Sequence, residues 1–352
     1  LNLPRYIDST EPEDLQDIDA HLRGGIPARD LDALGQYWKI MPNVRAALFG
    51  ELRPGYAELR IPQAEIKASI FAHTEFTAFT SKAKQLFTQW QTASVPLLKG
   101  LAEGGHPKPL IETIAENLLT TFKTAPLLDA YDVYQHLMDY WAETMQDDCY
   151  LIADAGWVAG AQPREMVKIK DANGKLVWPK EAFDYEKGKR RFKSDLIPAA
   201  LLIARYFTVE RDAIAALEAE LASIEQQLDE TREEHSGEDG LLAEVIEGEG
   251  EKQKITAKAL KARLKDIGKN KDHAEERQTL EAYNNLLDLL AATKTRLKIA
   301  QDDLQVKLDA KYPTLTETDI QTLVVDDKWL ATLATAVQGE LDRVSQTLTG
   351  RI

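Results

Sequence analysis

A chain of 352 residues, 44% hydrophobic and 29% charged, has room for two domains, and its composition is globular rather than disordered. The formal net charge of -15 argues against a broad grip on nucleic acid, because duplex binding neutralises phosphates with Lys and Arg. The single cysteine, Cys149, excludes an intramolecular disulfide and predicts a reducing, cytoplasmic setting, with the thiol as a small buried hydrophobe.

Residues 1–68 read as a linker and loop-rich segment. Leu1-Asn2-Leu3-Pro4-Arg5-Tyr6-Ile7-Asp8 reads as a joint, since Pro4 lacks an amide and fixes its own φ. Thr10 as N-cap, Pro12 in the first turn and the acids around it predict a helix that Gly24-Gly25-Ile26-Pro27 ends. A second short helix begins at Ala28-Arg29-Asp30, and residues 56–61 partly alternate as a strand does.

Residues 69–208 predict a mainly helical body. Phe76, Phe79, Leu86 and Trp90 recur at helical spacings, and Leu110, Ile114, Leu118 and Phe122 form a stripe. Pro96 and Gly104-Gly105-His106-Pro107 punctuate these helices. In the run 131–148, Val133, Leu137, Tyr140, Trp141 and Met145 share one face, which predicts a central core helix. Residues 166–170 and 175–178 flank Asp171-Ala172-Asn173-Gly174 and predict a β-hairpin with an Asn-Gly turn. A basic run follows, with Lys187, Lys189, Arg190, Arg191 and Lys193 around Phe192, and then a helix from Ser194 or Asp195 through Pro198 towards Phe207.

Residues 209–310 predict an arm. Ile214, Leu217, Leu221, Ile224 and Leu228 step as a coiled-coil seam, and Leu286, Leu290, Thr293, Leu297, Ala300 and Leu304 make a second one. Two seams joined by an insertion near 236–270, which includes a lysine-rich helix at 255–267, predict an antiparallel helical hairpin with a small tip. Lys311-Tyr312-Pro313 closes the arm, and 311–352 carries two further helices, at 316–323 and 328–348. The expected fold is thus mainly α, a helical body with a small β-hairpin element plus a long antiparallel coiled-coil arm.

Chemistry is sparse. Adenine methyl transfer needs a Gly-rich turn after a strand for the cofactor and an Asn/Asp-Pro-Pro-aromatic loop for the flipped base. The chain has no Pro-Pro pair, no Walker sequence, no His-Glu-x-x-His and no Cys-x-x-Cys, and no strand followed by Gly-x-Gly is expected. No apolar run reaches the roughly 18 residues of a membrane span; the longest, near 196–207, is cut by Pro198 and Arg205. His136, Asp139 and Glu143 resemble half of a carboxylate-rich metal site, against the plainer reading of a polar helix face. Asp147 and Asp148 beside Cys149 read as helix-end capping rather than as paired acids. The basic run is either a solvated loop or a DNA-backbone contact that positions without reading sequence. The seam side chains Ile214, Leu217, Leu221, Ile224, Leu228, Leu290, Leu297 and Leu304 either pack only within the hairpin or bind a partner's coiled coil.

Several runs resemble the long form of the modification (methyltransferase) subunits of type I restriction-modification systems. These are the opening octapeptide, Gly24-Gly25-Ile26-Pro27 with Asp30 to Trp38, the run 131–148, and Lys193-Ser194-Asp195-Leu196-Ile197-Pro198-Ala199-Ala200. Gly240-Leu241-Leu242, Lys311-Tyr312-Pro313 and Thr349-Gly350-Arg351-Ile352 are also similar, and 131–148 is the most specific. The resemblance implies a carboxy-terminal part, with the catalytic domain before Leu1 and one more segment after Ile352. It implies S-adenosylmethionine on that other domain, and no cofactor or catalytic residue in this chain. The implied partners are a specificity subunit, a second modification subunit, a restriction subunit and DNA held by the assembly. An independent coiled-coil scaffold is the alternative, and an enzyme using His136, Asp139 and Glu143 with a metal is a third reading.

Overall fold

The computed structural model describes residues 17–237, 240–248 and 254–351. The opening octapeptide, Thr10, Pro12 and Ile352 lie outside these residues. The fold is mainly α, as the helical periodicities predict, and among the described residues no helix is long and apolar enough to cross a membrane. The chain divides into two units, one running to Gly156 and resuming at Val325, the other Trp157–Val324. These boundaries cut through the segments 69–208 and 311–352 drawn from the sequence.

The first unit begins with α1 (Ile18–Arg23), capped by the Asp17 side chain and ended by Gly24 at φ 71°. Then come β1 (Ile26–Pro27), α2 (Ala28–Ala33), α3 (Gly35–Ile40), α4 (Pro42–Leu48), β2 (Phe49–Arg53) and β3 (Tyr56–Leu59). The strands form an antiparallel sheet in the order β1-β3-β2. The helices α5 (Ile66–Ala72), α6 (Thr74–Lys99), α7 (Pro107–Phe122), α8 (Ala130–Tyr140) and α9 (Gln146–Gly160) follow. Pro96 does not stop α6; it sits in the last turn, and the helix runs on to Lys99. Trp90 is buried and its indole N–H donates to the Ile114 carbonyl at 2.9 Å, which joins α6 to α7. Leu86 and Leu110 stand half-buried at the rim, and their neighbours Phe87 and Ile111 fill the core instead. Val133, Leu137, Trp141 and Met145 are buried as the stripe predicts. Between α8 and α9 the chain makes a π-helical turn, Trp141–Met145. Gly156, at φ 74° and ψ 172°, breaks α9, a conformation that disfavours any side chain.

The second unit opens with β4 (Arg164–Glu165), β5 (Ile169–Lys170), β6 (Leu176–Val177), β7 (Tyr185–Lys187) and β8 (Arg190–Lys193). β5 and β6 form the expected hairpin, with Ile169 opposite Val177 and Lys170 opposite Leu176. The basic run is not a loop. It is the hairpin β7–β8, turned at Gly188 (φ 68°) and joined by β4 in the order β4-β8-β7. The following helix, α10 (Ala199–Tyr206), starts at Ala199 rather than at Ser194. A proline disfavours the helical region for the residue before it, here Ile197, and the Asp184 carboxylate accepts from the amides of Ser194 and Ala199, both at 2.6 Å.

Next come α11 (Thr208–His235), β9 (Ile246–Glu247), β10 (Lys254–Ile255), α12 (Ala257–Ile267), α13 (Ala274–Lys311) and α14 (Glu317–Gln321). The expectation that no strand precedes a Gly-x-Gly fails at one place: β9 is a strand followed by Gly248, with Gly250 outside the described residues. It pairs antiparallel with β10 as a local ribbon and leads into no crossover helix, so it lacks the βα context of a cofactor-binding turn. After α14 the chain winds as a π-helix over Thr322–Leu330 and passes directly into α15 (Ala331–Gly350). The two helices expected at 316–323 and 328–348 are therefore nearly continuous. In the first unit, α15 packs against α5, α6 and α8.

Candidate interaction surfaces

The arm is built by α11 and α13, which lie antiparallel. Glu210 pairs with Lys307 at 2.5 Å, Glu220 with Arg296 at 2.6 Å and Glu225 with Lys294 at 3.1 Å, so numbers rise on one helix as they fall on the other. Ile224 and Leu228 are buried in one cluster with Leu280, Tyr283 and Leu242, against which Leu290 packs. Val245, Leu260 and Ile267 complete that cluster, so the tip has a core of its own. Leu304 is buried, and Ile214, Leu217, Leu221 and Leu297 are half-buried on the same seam. Three of the eight seam side chains are thus buried within the hairpin and the other five are half-buried, so much of the seam is turned into the arm itself.

The middle of the seam is polar. Thr293 is fully buried and its hydroxyl donates to Glu220 at 3.0 Å, while Arg296 donates to the same carboxylate and to the Thr293 hydroxyl. On the outer side of α13, Leu289, Ile299 and Val306 are 44%, 55% and 69% exposed, and Ala292 is exposed beside them. Ala292, Ile299 and Val306 are seven residues apart in succession and Leu289 lies three before the first, which is coiled-coil spacing. A groove of about 740 Å³ lies between α13 and the β7–β8 hairpin, with Phe183, Glu186, Asp302 and Val306 on its walls.

The basic hairpin carries little free charge. Lys187 pairs with Asp309 at 2.7 Å, Arg190 forks onto both oxygens of Glu165, and Lys193 holds Glu181 at 2.6 Å. Arg191 lies 3.6 Å from Glu186, with its guanidinium 4.5 Å from the Phe183 ring centre and 4.9 Å from that of Trp178. Arg190 and Lys193 hold the carboxyls of Glu165 and Glu181 below the usual range. Lys189, at the turn, has no carboxylate at ion-pair distance among the described residues. Four of the five cations expected at a phosphate backbone are engaged within the unit.

No family model, curated protein or solved structure matches this chain.

In the first unit, the polar face of α8 is engaged with its own fold. His136 Nε2 lies 2.8 Å from Glu340 Oε1, and Arg343 bridges Glu340 and Asp132. Asp139 accepts from Gln135, and Glu143 points to solvent from the π-helical turn, so His136, Asp139 and Glu143 do not converge. Asp148 does not cap a helix. It is buried, and its carboxylate accepts from Lys328 at 2.9 and 2.7 Å and from the Trp329 indole at 2.7 Å. Burial pushes its carboxyl up, opposed by Lys328 and Trp329. The one signal in the sequence was its place on the face of Met145 and Ile152, which are core residues. Cys149 is buried as expected, and burial pushes its thiol up to about 12.

Proposed function

We propose that this chain is a non-catalytic part of the modification subunit of a type I restriction-modification system, an N6-adenine DNA methyltransferase of the cytoplasm. In this reading the arm docks on helices of the specificity subunit, and the assembly closes around DNA. The observation that carries it is the arm itself. Its seam is turned largely inward, while the stripe of Leu289, Ala292, Ile299 and Val306 stands exposed at heptad spacing for a partner helix. The resemblance of the run 131–148 and the accompanying segments supplies the identity of that partner. S-adenosylmethionine then belongs to a catalytic domain outside these residues, and a second modification subunit and a restriction subunit join through the complex.

The test is a light-scattering titration of this chain against the specificity subunit encoded beside its gene. A complex of defined stoichiometry is expected. A chain folded by circular dichroism that forms no complex at micromolar concentrations overturns the proposal.

A further inference from the structure

The ion pairs of β7–β8 have a consequence for the neighbouring hairpin. Because Arg190 and Lys193 absorb Glu165 and Glu181, the two acids that flank residues 166–180 are neutralised and no longer screen the surface between them. That surface is the β5–β6 hairpin. Residues 166–180 carry Lys168, Lys170, Lys175 and Lys180 against Asp171, four positive charges to one negative, a local charge of +3 in a chain of -15. All four lysines are exposed, and none has a carboxylate at ion-pair distance among the described residues. Asp171 is occupied by the turn, its side chain accepting from the amides of Asn173 at 2.9 Å and Lys175 at 2.8 Å.

The hairpin's shape matters as much as its charge. Residues directly opposite on paired strands share a face. Lys170 and Leu176 therefore lie together, with Lys168 above the Trp178 ring, 5.1 Å from its centre, one step along. The opposite face carries Ile169 and Val177, and Val167, Ile169 and Leu176 are 72%, 51% and 59% exposed. Arg191 of β8, its guanidinium 4.9 Å from the centre of the same ring, ties Trp178 to the β4-β8-β7 sheet. The result is a narrow two-stranded ribbon with cations along it, held at its base. A two-stranded ribbon fits the major groove of B-DNA, about 12 Å wide, where its exposed lysines would be within reach of the flanking phosphates.

We propose that the β5–β6 hairpin is a duplex-DNA contact, with Lys168, Lys170, Lys175 and Lys180 neutralising backbone phosphates, in place of the basic run 187–193. The inference deepens the DNA-clamping reading and rests on it. The contacts are of the positioning kind and read no sequence.

The experiment is fluorescence anisotropy of the full chain with a labelled duplex of about 30 base pairs, across about 50 to 200 mM salt. It compares the natural chain with a variant carrying Lys168→Gln, Lys170→Gln, Lys175→Gln and Lys180→Gln, and with one carrying Arg at the same four positions. The expected result is that the Gln variant binds more weakly and its slope of log affinity against log salt is shallower by about 0.9 for each phosphate left without its lysine. The Arg variant keeps the slope. An unchanged slope in the Gln variant, no duplex binding by the natural chain at low salt, or tighter binding of polyglutamate than of duplex overturns the proposal. The Gln variant is also titrated against the specificity subunit. Retained assembly with a changed salt slope isolates the hairpin, whereas a natural chain that fails to assemble counts against the reading beneath it.

Discussion

Lys328 holds both carboxylate oxygens of Asp148, at 2.9 and 2.7 Å, across 180 residues of sequence. Both side chains are mostly withdrawn from water, at 12% and 6% exposure, so the pair's value depends on its staying complete. Replacing Lys328 by Met leaves an uncompensated buried carboxylate and should cost about 3–5 kcal/mol in urea unfolding. Adding Asp148→Leu should recover most of that loss. Burial raises the Asp148 carboxyl above its unfolded value, so its contribution is fully present below the unfolded pKa and lost as pH rises through the folded one. The penalty of Lys328→Met should therefore shrink on acidification from about pH 7 to about pH 4.

Seam and stripe should separate cleanly. Leu228→Ala removes a side chain from the tip core and should destabilise the arm by about 2–5 kcal/mol, read by thermal melting. Ile299→Asp with Val306→Asp should change the melting temperature little, since both side chains are exposed, yet should abolish binding of the specificity subunit. Full affinity in that double variant would remove the outer stripe from the proposed interface.

Acid should loosen the arm. Lys307 holds the Glu210 carboxyl below the usual range, and Arg263 does the same for Glu276 at the tip. A depressed carboxylate contributes stability that is present above its unfolded value and lost as pH falls through the folded one. Far-UV circular dichroism should therefore show the arm's melting temperature falling as pH drops below the ordinary glutamate value of 4.5. Lys307→Gln should flatten that dependence.

Cys149 should resist alkylation. Its thiol is fully buried and pushed up to about 12, so almost no thiolate exists at neutral pH. Iodoacetamide should label it only in denaturant, with a rate that follows unfolding. Fast labelling of the folded chain would show that the helix bearing Cys149 opens locally.

The parts of this fold that were legible are those in which one periodicity decides the structure. The seams of α11 and α13 repeat over many turns, and the apolar face that runs from α8 into the π-helical turn is unmistakable because Val133, Leu137 and Trp141 recur at four-residue steps. The β7–β8 hairpin was hidden, because five of the seven residues 187–193 are Lys or Arg and their carboxylate partners, such as Asp309, can lie far along the chain. Charge was visible, but its neutralisation was not. Phe87 in place of Leu86 and Ile111 in place of Leu110 are slips of one position, about 100° around a helix, which spacing alone cannot resolve at a core boundary. Asp148 read as a terminal acid because no local pattern announces Lys328. The candidate site shifted for the same reason: a seam seen in sequence does not say which helix closes it.

The buried Thr293 hydroxyl on Glu220 sets a rule for how this arm can change length. That polar layer sits between apolar layers on both helices, so sliding one helix by a single residue would swing the hydroxyl outward and bring charge into the seam. Growth or shortening must come in whole heptads, in α11 and α13 together, with the tip carried along intact. Natural variants of the arm should accordingly differ in reach by steps of about 10 Å, seven residues at about 1.5 Å each, rather than continuously.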